Sequence, residues 1–259
     1  MPGLAVFGVT GRMGQHLVRA LREQLPGPGG APALRLCGAL ASPQSPRLGR
    51  DAAAEGEPSG VIITADPTAA LADADAALEF SPAPAVAGHA RACAARRVGL
   101  LVGTTGLDEA ALAALEEAAA RIPVLIAPNT SVGVTVIAQL LDQAARALGR
   151  DYEVRIREAH HRLKRDAPSG TALALGETVA RARGHGPECI DYEVVREGDI
   201  VGEHTVSFSA PGERIEVTHR ATDRMIFARG ALRAAEWLAG RTPGLYGMQD
   251  VLGLEKHGQ

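Results

Sequence analysis

This sequence predicts an α/β protein in two parts: an N-terminal doubly wound parallel sheet, then a C-terminal α+β domain with a mixed or antiparallel sheet. Three observations carry the prediction. Up to about residue 130, short continuous apolar runs alternate with helical periodicity, as in βαβ units whose strands are covered on both faces. A glycine turn, Gly8-Val9-Thr10-Gly11-Arg12-Met13-Gly14, directly follows the first run and opens the first helix. Beyond residue 130 the alternation stops, and three strand-like runs follow one another with short turns between them.

The elements follow in order. The first strand covers 4–9 and the first helix about 12–24. The Pro- and Gly-rich segment 26–32 reads as a loop. Further strands fall at 34–40, 61–64, 76–80, 100–103 and 124–127, with helices near 84–96 and 108–121. Parallel strands of this kind are joined by right-handed crossovers. After residue 130, a helix over 134–148 leads to a strand over 152–159 and a helix over 171–183. Strands at 190–196, 204–209 and 214–219 come next. The turns between these runs, with Gly198-Asp199 and Pro211-Gly212, predict an antiparallel sheet. A last helix, 225–238, returns the chain to the first domain.

Composition narrows the function. Of 259 residues, 46% are hydrophobic and 22% charged, enough for a real core. A net charge of -3 and only 3% aromatic residues argue against a nucleic-acid or membrane-surface partner. Cys37, Cys93 and Cys189 are odd in number and lack C-x-x-C spacing, so neither a disulfide framework nor a metal site is expected. No apolar stretch approaches the ~20 residues that cross a bilayer. The chain opens on a strand-like run with no basic leader before it, and a cytoplasmic, reduced protein is expected.

The glycine turn has the spacing G-x-x-G-x-x-G. Glycines let backbone approach a pyrophosphate, whose charge then lies at a helix N-terminus. The same turn also occurs in doubly wound folds that bind no nucleotide. Its place after the first strand of a βαβ series favours a Rossmann-like dinucleotide site formed by Gly8, Val9, Thr10, Gly11, Arg12 and Met13. Gly103-Thr104-Thr105-Gly106 and Ala127-Pro128-Asn129-Thr130 end later strands, at the sheet edge where such folds hold ligands. An NAD-specific site places an acid after the second strand. Here Leu40-Ala41-Ser42-Pro43 stands there, and Arg47 and Arg50 precede the first acid, Asp51. NADPH or NADH is therefore expected, with a lean to NADPH. The alternative is that Arg47 and Arg50 are solvated loop charges, the commoner fate of such residues.

Glu158-Ala159-His160-His161-Arg162-Leu163-Lys164-Arg165-Asp166-Ala167-Pro168-Ser169-Gly170-Thr171 is the most informative stretch. Two imidazoles and an ammonium precede a Ser-Gly-Thr helix start, which binds anions through its free amides. Each group alone has an ordinary structural explanation. Together they suit an enzyme acting on a small dicarboxylate. Adjacent residues of an extended segment face opposite ways, so His160 and His161 do different jobs.

This segment, with Gly8–Gly14, Gly103–Gly106, residues 127–133, Gly198-Asp199-Ile200-Val201-Gly202-Glu203-His204 and the helix through Trp237, resembles the dihydrodipicolinate reductase family along almost the whole chain. The resemblance implies NAD(P)H-dependent reduction of 4-hydroxy-tetrahydrodipicolinate to tetrahydrodipicolinate in lysine and diaminopimelate biosynthesis. It implies catalytic roles for His160 and Lys164. Substrate binding falls to His161, Ser169, Gly170 and Thr171, and the cofactor contacts are those above. It also implies a homo-oligomer, by family a tetramer, although the family's Arg/Gly-rich segment has no counterpart between Gly184 and Glu197. Residues 1–130 with 224–259 are expected to bind dinucleotide, and 131–223 to bind substrate and to oligomerise. Two other functions fit the residues: another nicotinamide-dependent reductase of a small imino or keto acid, or a dinucleotide sensor without turnover.

Overall fold

The computed structural model describes residues 1–24 and 34–254. The loop expected at 26–32 lies outside them. In chain order the elements are β1 (Gly3–Phe7), α1 (Arg12–Arg22), β2 (Arg35–Leu40), α2 (Pro67–Ala70), β3 (Ala76–Glu79), α3 (Ala83–Arg96), β4 (Gly99–Val102), α4 (Glu109–Ala119), β5 (Pro123–Ile126), α5 (Val132–Leu148), β6 (Glu153–His160), α6 (Gly170–Ala182), β7 (Asp191–Arg196), β8 (Gly202–Ala210), β9 (Glu213–Ala221), α7 (Met225–Leu238), β10 (Gly244–Tyr246) and α8 (Met248–Leu252). The chain divides into two compact units, Met1–Thr130 with Phe227–Gln259, and Ser131–Ile226.

The first unit holds a parallel sheet in the order β10-β5-β4-β3-β1-β2. β1, β3 and β4 are buried along their whole length, as continuous apolar strands between two helical layers must be. One side of the sheet packs Phe7, Leu100 and Val124 against Val86, Leu115 and Ala118 of α3 and α4. The alanine run of α4 is a strong helix former, and Asp108 caps it by accepting a hydrogen bond from the Ala111 amide at 2.8 Å. β2 lies on one side of β1 and β3 on the other, so the strand order reverses at β1. That reversal opens a crevice at the carboxyl ends of the strands.

One expectation needs correction here. Residues 61–64 form no strand of the sheet, only isolated bridges from Thr64 to Leu40 and from Ile62 to Asp51. Their backbone divides its hydrogen bonds between β2 and the 49–52 loop, which prevents a continuous ladder. β10, α2 and α8 are additions that the apolar periodicity did not reveal. Each is only three to five residues long, too short to show a period.

The second unit holds a mixed sheet in the order β7-β6-β8-β9. Of the two arrangements expected, mixed or antiparallel, the mixed one is found. β8 and β9 form an antiparallel hairpin, but β7 pairs with β6 in parallel. The 197–201 loop makes this possible by crossing the end of β6: Glu197 N–H donates to His160 O, His161 N–H to Ile200 O and Arg162 N–H to Gly198 O. On β6 the side chains alternate. Val154 and Ile156 face a core shared with Ile137, Leu141, Leu175, Val179 and Phe208. Arg155 and Arg157 face outward and pair with Asp191 and Glu193 of β7. Each fully buried aliphatic or Phe side chain stabilises by ~1.5–3 kcal/mol, against ~0–1 kcal/mol for an exposed ion pair. The alternation therefore sets the face of β6 that meets α5 and α6. Among the described residues, no helix is long and apolar enough to cross a membrane.

Candidate active site

In the first unit the crevice at β1 contains a cavity of about 890 Å³, lined among others by Gly8, Thr10, Gly11, Gly103, Thr104 and Thr105. Gly8 has φ +73°, and a Cβ there would lie 2.7 Å from the Phe80 carbonyl oxygen. A Cβ on Gly14 would meet the Gly8 oxygen at 2.5 Å, so α1 packs directly on the turn. Gly11 caps α1 without a side-chain hydrogen bond, and no acid occupies the first turn. The result is an uncapped helix N-terminus facing a backbone cradle, which fits a pyrophosphate.

The other expected dinucleotide residues are placed as follows. Val9 is buried and its amide donates to Leu40 O at 3.1 Å. Arg12 and Met13 form the first turn of α1, with Arg12 exposed. The Thr104 hydroxyl donates to Ser81 O at 2.9 Å and so braces the neighbouring loop. Ala127, Pro128, Asn129 and Thr130 follow β5, and the Thr130 hydroxyl donates to Phe227 O at 2.7 Å. After β2, the cavity wall carries Ala41, Ser42 and Pro43, with no charge. Arg47 braces its own loop by donating to Asp51 O at 2.9 Å, and Arg50 is exposed. Sequence reasoning did not single out Glu79, which is fully buried at the end of β3. It accepts from the Ser81 amide at 2.6 Å and pairs with His89, which lines the same cavity.

In the second unit a polar cluster forms where β6 meets the loop that leads to α6. Glu158 and His160 are two residues apart on a strand and therefore share a face. They continue the buried row of Val154 and Ile156. The Glu158 carboxylate accepts from His160 Nδ1, from Arg196 Nη1 at 2.9 Å and Nη2 at 2.7 Å, and from the Ser169 amide at 3.2 Å. Burial alone would raise the Glu158 carboxyl, but the Arg196 and His160 hydrogen bonds outweigh it and hold it below the usual range. Burial pushes His160 down against the opposing pull of Glu158, helped by Lys164 and Arg196.

Glu158, His160 and His204 bring ligand-type atoms within 4.8 Å of one another. The Arg196 guanidinium engages both oxygens of this carboxylate.

His161 is half-buried and begins a turn in which the Lys164 amide donates to its carbonyl oxygen. Lys164 is 22% exposed and pairs with Asp166 at 2.8 Å. Ser169, expected to bind substrate, is 2% exposed, and its polar groups are engaged within the protein. Its oxygen accepts from the Ala172 amide and lies 3.1 Å from His204 Nε2, so it caps and anchors α6. Gly170 opens α6 with clear space where a Cβ would stand, and Thr171 follows in the first turn. With no acid in that turn, the helix end favours an anion.

The sequence motif thus gathers His160, Lys164 and the α6 amides in one unit. Sequence reasoning assigned no role to Glu158, Arg196 or His204. The Glu-x-His spacing on a strand was the available signal for the first.

Two family models match in sequence, one described as "Dihydrodipicolinate reductase, N-terminus" over residues 3–130 and one as "Dihydrodipicolinate reductase, C-terminus" over 133–252. A 4-hydroxy-tetrahydrodipicolinate reductase of Anaeromyxobacter dehalogenans is 48% identical over 273 aligned residues, covering 98% of each chain. One of Alkalilimnicola ehrlichii is 47% identical, covering 97% of this chain and 98% of that one. Among solved structures, dipicolinate-bound dihydrodipicolinate reductase from Paenisporosarcina sp. TG-14 superposes with TM-score 0.79. It is 21% identical and covers 96% of this chain and 99% of that chain. An amine dehydrogenase from Mycobacterium smegmatis shares the fold at TM-score 0.57 and 14% identity, covering 94% of each. Fold alone does not choose the substrate.

Proposed function

The chain belongs to the dihydrodipicolinate reductase family, and from that premise we propose how its residues divide the work of the reaction. The enzyme is an NAD(P)H-dependent oxidoreductase that reduces 4-hydroxy-tetrahydrodipicolinate to tetrahydrodipicolinate in lysine and diaminopimelate biosynthesis. When bound, the reduced nicotinamide supplies the hydride.

Residues 1–130 with 224–259 bind the dinucleotide. Gly8, Val9, Thr10, Gly11, Arg12 and Met13 hold its pyrophosphate on the α1 amides. Gly103, Thr104, Thr105, Ala127, Pro128, Asn129 and Thr130 form the nicotinamide half of the site. Residues 131–223 bind the substrate and form the oligomer. His161, Gly170 and Thr171 hold its carboxylates, the latter two at the α6 N-terminus that Ser169 anchors. Lys164 stabilises the negative charge that reduction leaves on the ring and donates a proton to it. His160 relays a proton. The observation that carries this reading is the meeting, in one short stretch, of a buried imidazole, a half-buried lysine and an open helix N-terminus.

NADPH is the favoured cofactor, because an uncharged wall after β2 leaves a 2′-phosphate unopposed. A homotetramer is the proposed assembly. It is supported by apolar side chains left exposed on the edge strands, Val194 and Ile215. The cytoplasm is the proposed location, since the reaction draws on a reduced dinucleotide pool.

The test is tetrahydrodipicolinate formation from substrate made in situ by the preceding synthase. His160→Ala and Lys164→Ala should each lower kcat by ~10²–10⁴-fold while NADPH titration stays unchanged. Wild-type turnover in both variants would contradict the assignment.

A further inference from the structure

We propose that Glu158 is the positioning residue of His160. It holds the imidazole in the tautomer whose Nδ1 keeps its proton, so that Nε2 alone exchanges protons during turnover. The proposal rests on the reading of His160 as a proton-transfer residue and adds what orients it.

Four observations lead there. First, Glu158 is fully buried, and both its oxygens are filled. Oε1 accepts from Arg196 Nη2 and the Ser169 amide, and Oε2 from Arg196 Nη1 and His160 Nδ1. A carboxylate surrounded by N–H donors remains ionised, and an ionised carboxylate is an acceptor only. The ring nitrogen facing it must therefore carry the hydrogen.

Second, Arg196 is itself fixed. Nη1 also donates to Val195 O at 2.8 Å and Nη2 to Asp166 O at 2.6 Å. In the β6–β7 ladder Arg196 is the register partner of His160. The guanidinium thus sets the carboxylate in two dimensions, which a lysine would not do.

Third, Gly202 leaves the other nitrogen clear. A Cβ at this position would sit 3.0 Å from His160 Nε2 and 3.4 Å from its Cδ2. No left-handed backbone conformation requires glycine there, so the missing side chain serves the imidazole. This gives a role to the second glycine of the Gly198–His204 motif.

Fourth, the Ser169 amide ties the same carboxylate to the start of α6. One anion thereby registers the imidazole against the helix end that would hold a substrate carboxylate. The charged and titratable groups facing His160 are Glu158 on its own strand, Arg196 on β7, His204 on β8 and Lys164 in the following turn.

The first experiment leaves Glu158 unchanged. In protein labelled with ¹⁵N-histidine, long-range ¹H–¹⁵N correlation should show His160 with Nδ1 protonated and Nε2 bare at pH 8. The signal is assigned by its loss in His160→Gln. An Nε2–H tautomer, or an even mixture, overturns the proposal even if the Glu158 variants fail to fold.

Turnover supplies the second experiment. Glu158→Gln should lower kcat by ~10²-fold with little change in KM or in NADPH affinity. The apparent pKa of His160 in the kcat profile should move down, because the group that stabilises the imidazolium is lost while Arg196 and Lys164 remain. Glu158→Asp should keep the tautomer and recover part of the rate. Wild-type kcat in Glu158→Gln, or equal rates in the Gln and Asp variants, overturns the proposal. His160→Gln is assayed beside them. If it turns over normally, the parent assignment of His160 fails. If it is slow while Glu158→Gln is fast, only the positioning role fails.

Discussion

His204 on β8 stands directly opposite Glu158 on β6 in the antiparallel ladder, and its ring meets that of His160 edge-on with centroids 5.1 Å apart. On its other side His204 is the register partner of His219 on β9. A row of three imidazoles therefore crosses the second sheet. Burial lowers all three, and pushes His204 down to about 4. A base whose folded pKa lies below its unfolded value binds fewer protons in the native state. Its contribution to stability is complete above about pH 6.5 and is lost as pH falls through the folded value. For His204 the full loss is about 3 kcal/mol. The melting temperature should fall steadily between pH 6.5 and 4. His204→Gln, which can still bond to Ser169 Oγ, should flatten that slope. A melting curve series with the same slope in the variant would refute the assignment.

Gly8 is required by its conformation as well as by its surroundings. Gly8→Ala must place an L-residue at φ +73° with its Cβ against the Phe80 carbonyl. The strain is ~1–3 kcal/mol, and the turn should rearrange to relieve it. Loss of dinucleotide affinity is expected along with a lower melting temperature, both measurable on one preparation by titration and thermal unfolding. Retained affinity would mean that this cradle does not hold the pyrophosphate.

Cofactor choice should respond to charge at Ser42. This residue is exposed and lines the cavity after β2. Ser42→Asp places an anion where a 2′-phosphate would come, and should weaken NADPH by ~10-fold, about 1.4 kcal/mol, relative to NADH. Fluorescence titration of both dinucleotides at fixed ionic strength measures the ratio. A strong NADH preference in the wild type would overturn the lean to NADPH.

Ser169→Ala removes the cap of α6 and the contact to His204. The cap alone is worth ~1 kcal/mol. Since the α6 amides are assigned to a substrate carboxylate, KM should rise more than kcat falls. Steady-state kinetics with the coupled assay separates the two, and an unchanged KM would detach the helix end from substrate binding.

Local signals account for most of what the chain revealed before its structure. Runs such as Ala76–Leu78 and Gly99–Val102 are apolar throughout because both sheet faces are covered. Gly8 and Gly14 mark a turn that leaves no room for side chains. Asp108 and Ser169 are side chains that cap the helices they precede. The site motif was legible for the same reason, since His160, Lys164 and Gly170 lie within one short stretch.

What this sequence determined by itself was therefore the longer elements, the class of fold and the stretch that holds the candidate site. Each is written in neighbours a few positions apart. The tertiary structure alone decided that β7 lies parallel to β6, that β10 extends the first sheet, and that Arg196 and His204 converge on Glu158. Strand partners are chosen by hydrogen bonds and packing between segments some forty residues apart. Such pairing leaves no periodic trace in either segment, so the network that orients His160 emerges only when the sheet is assembled.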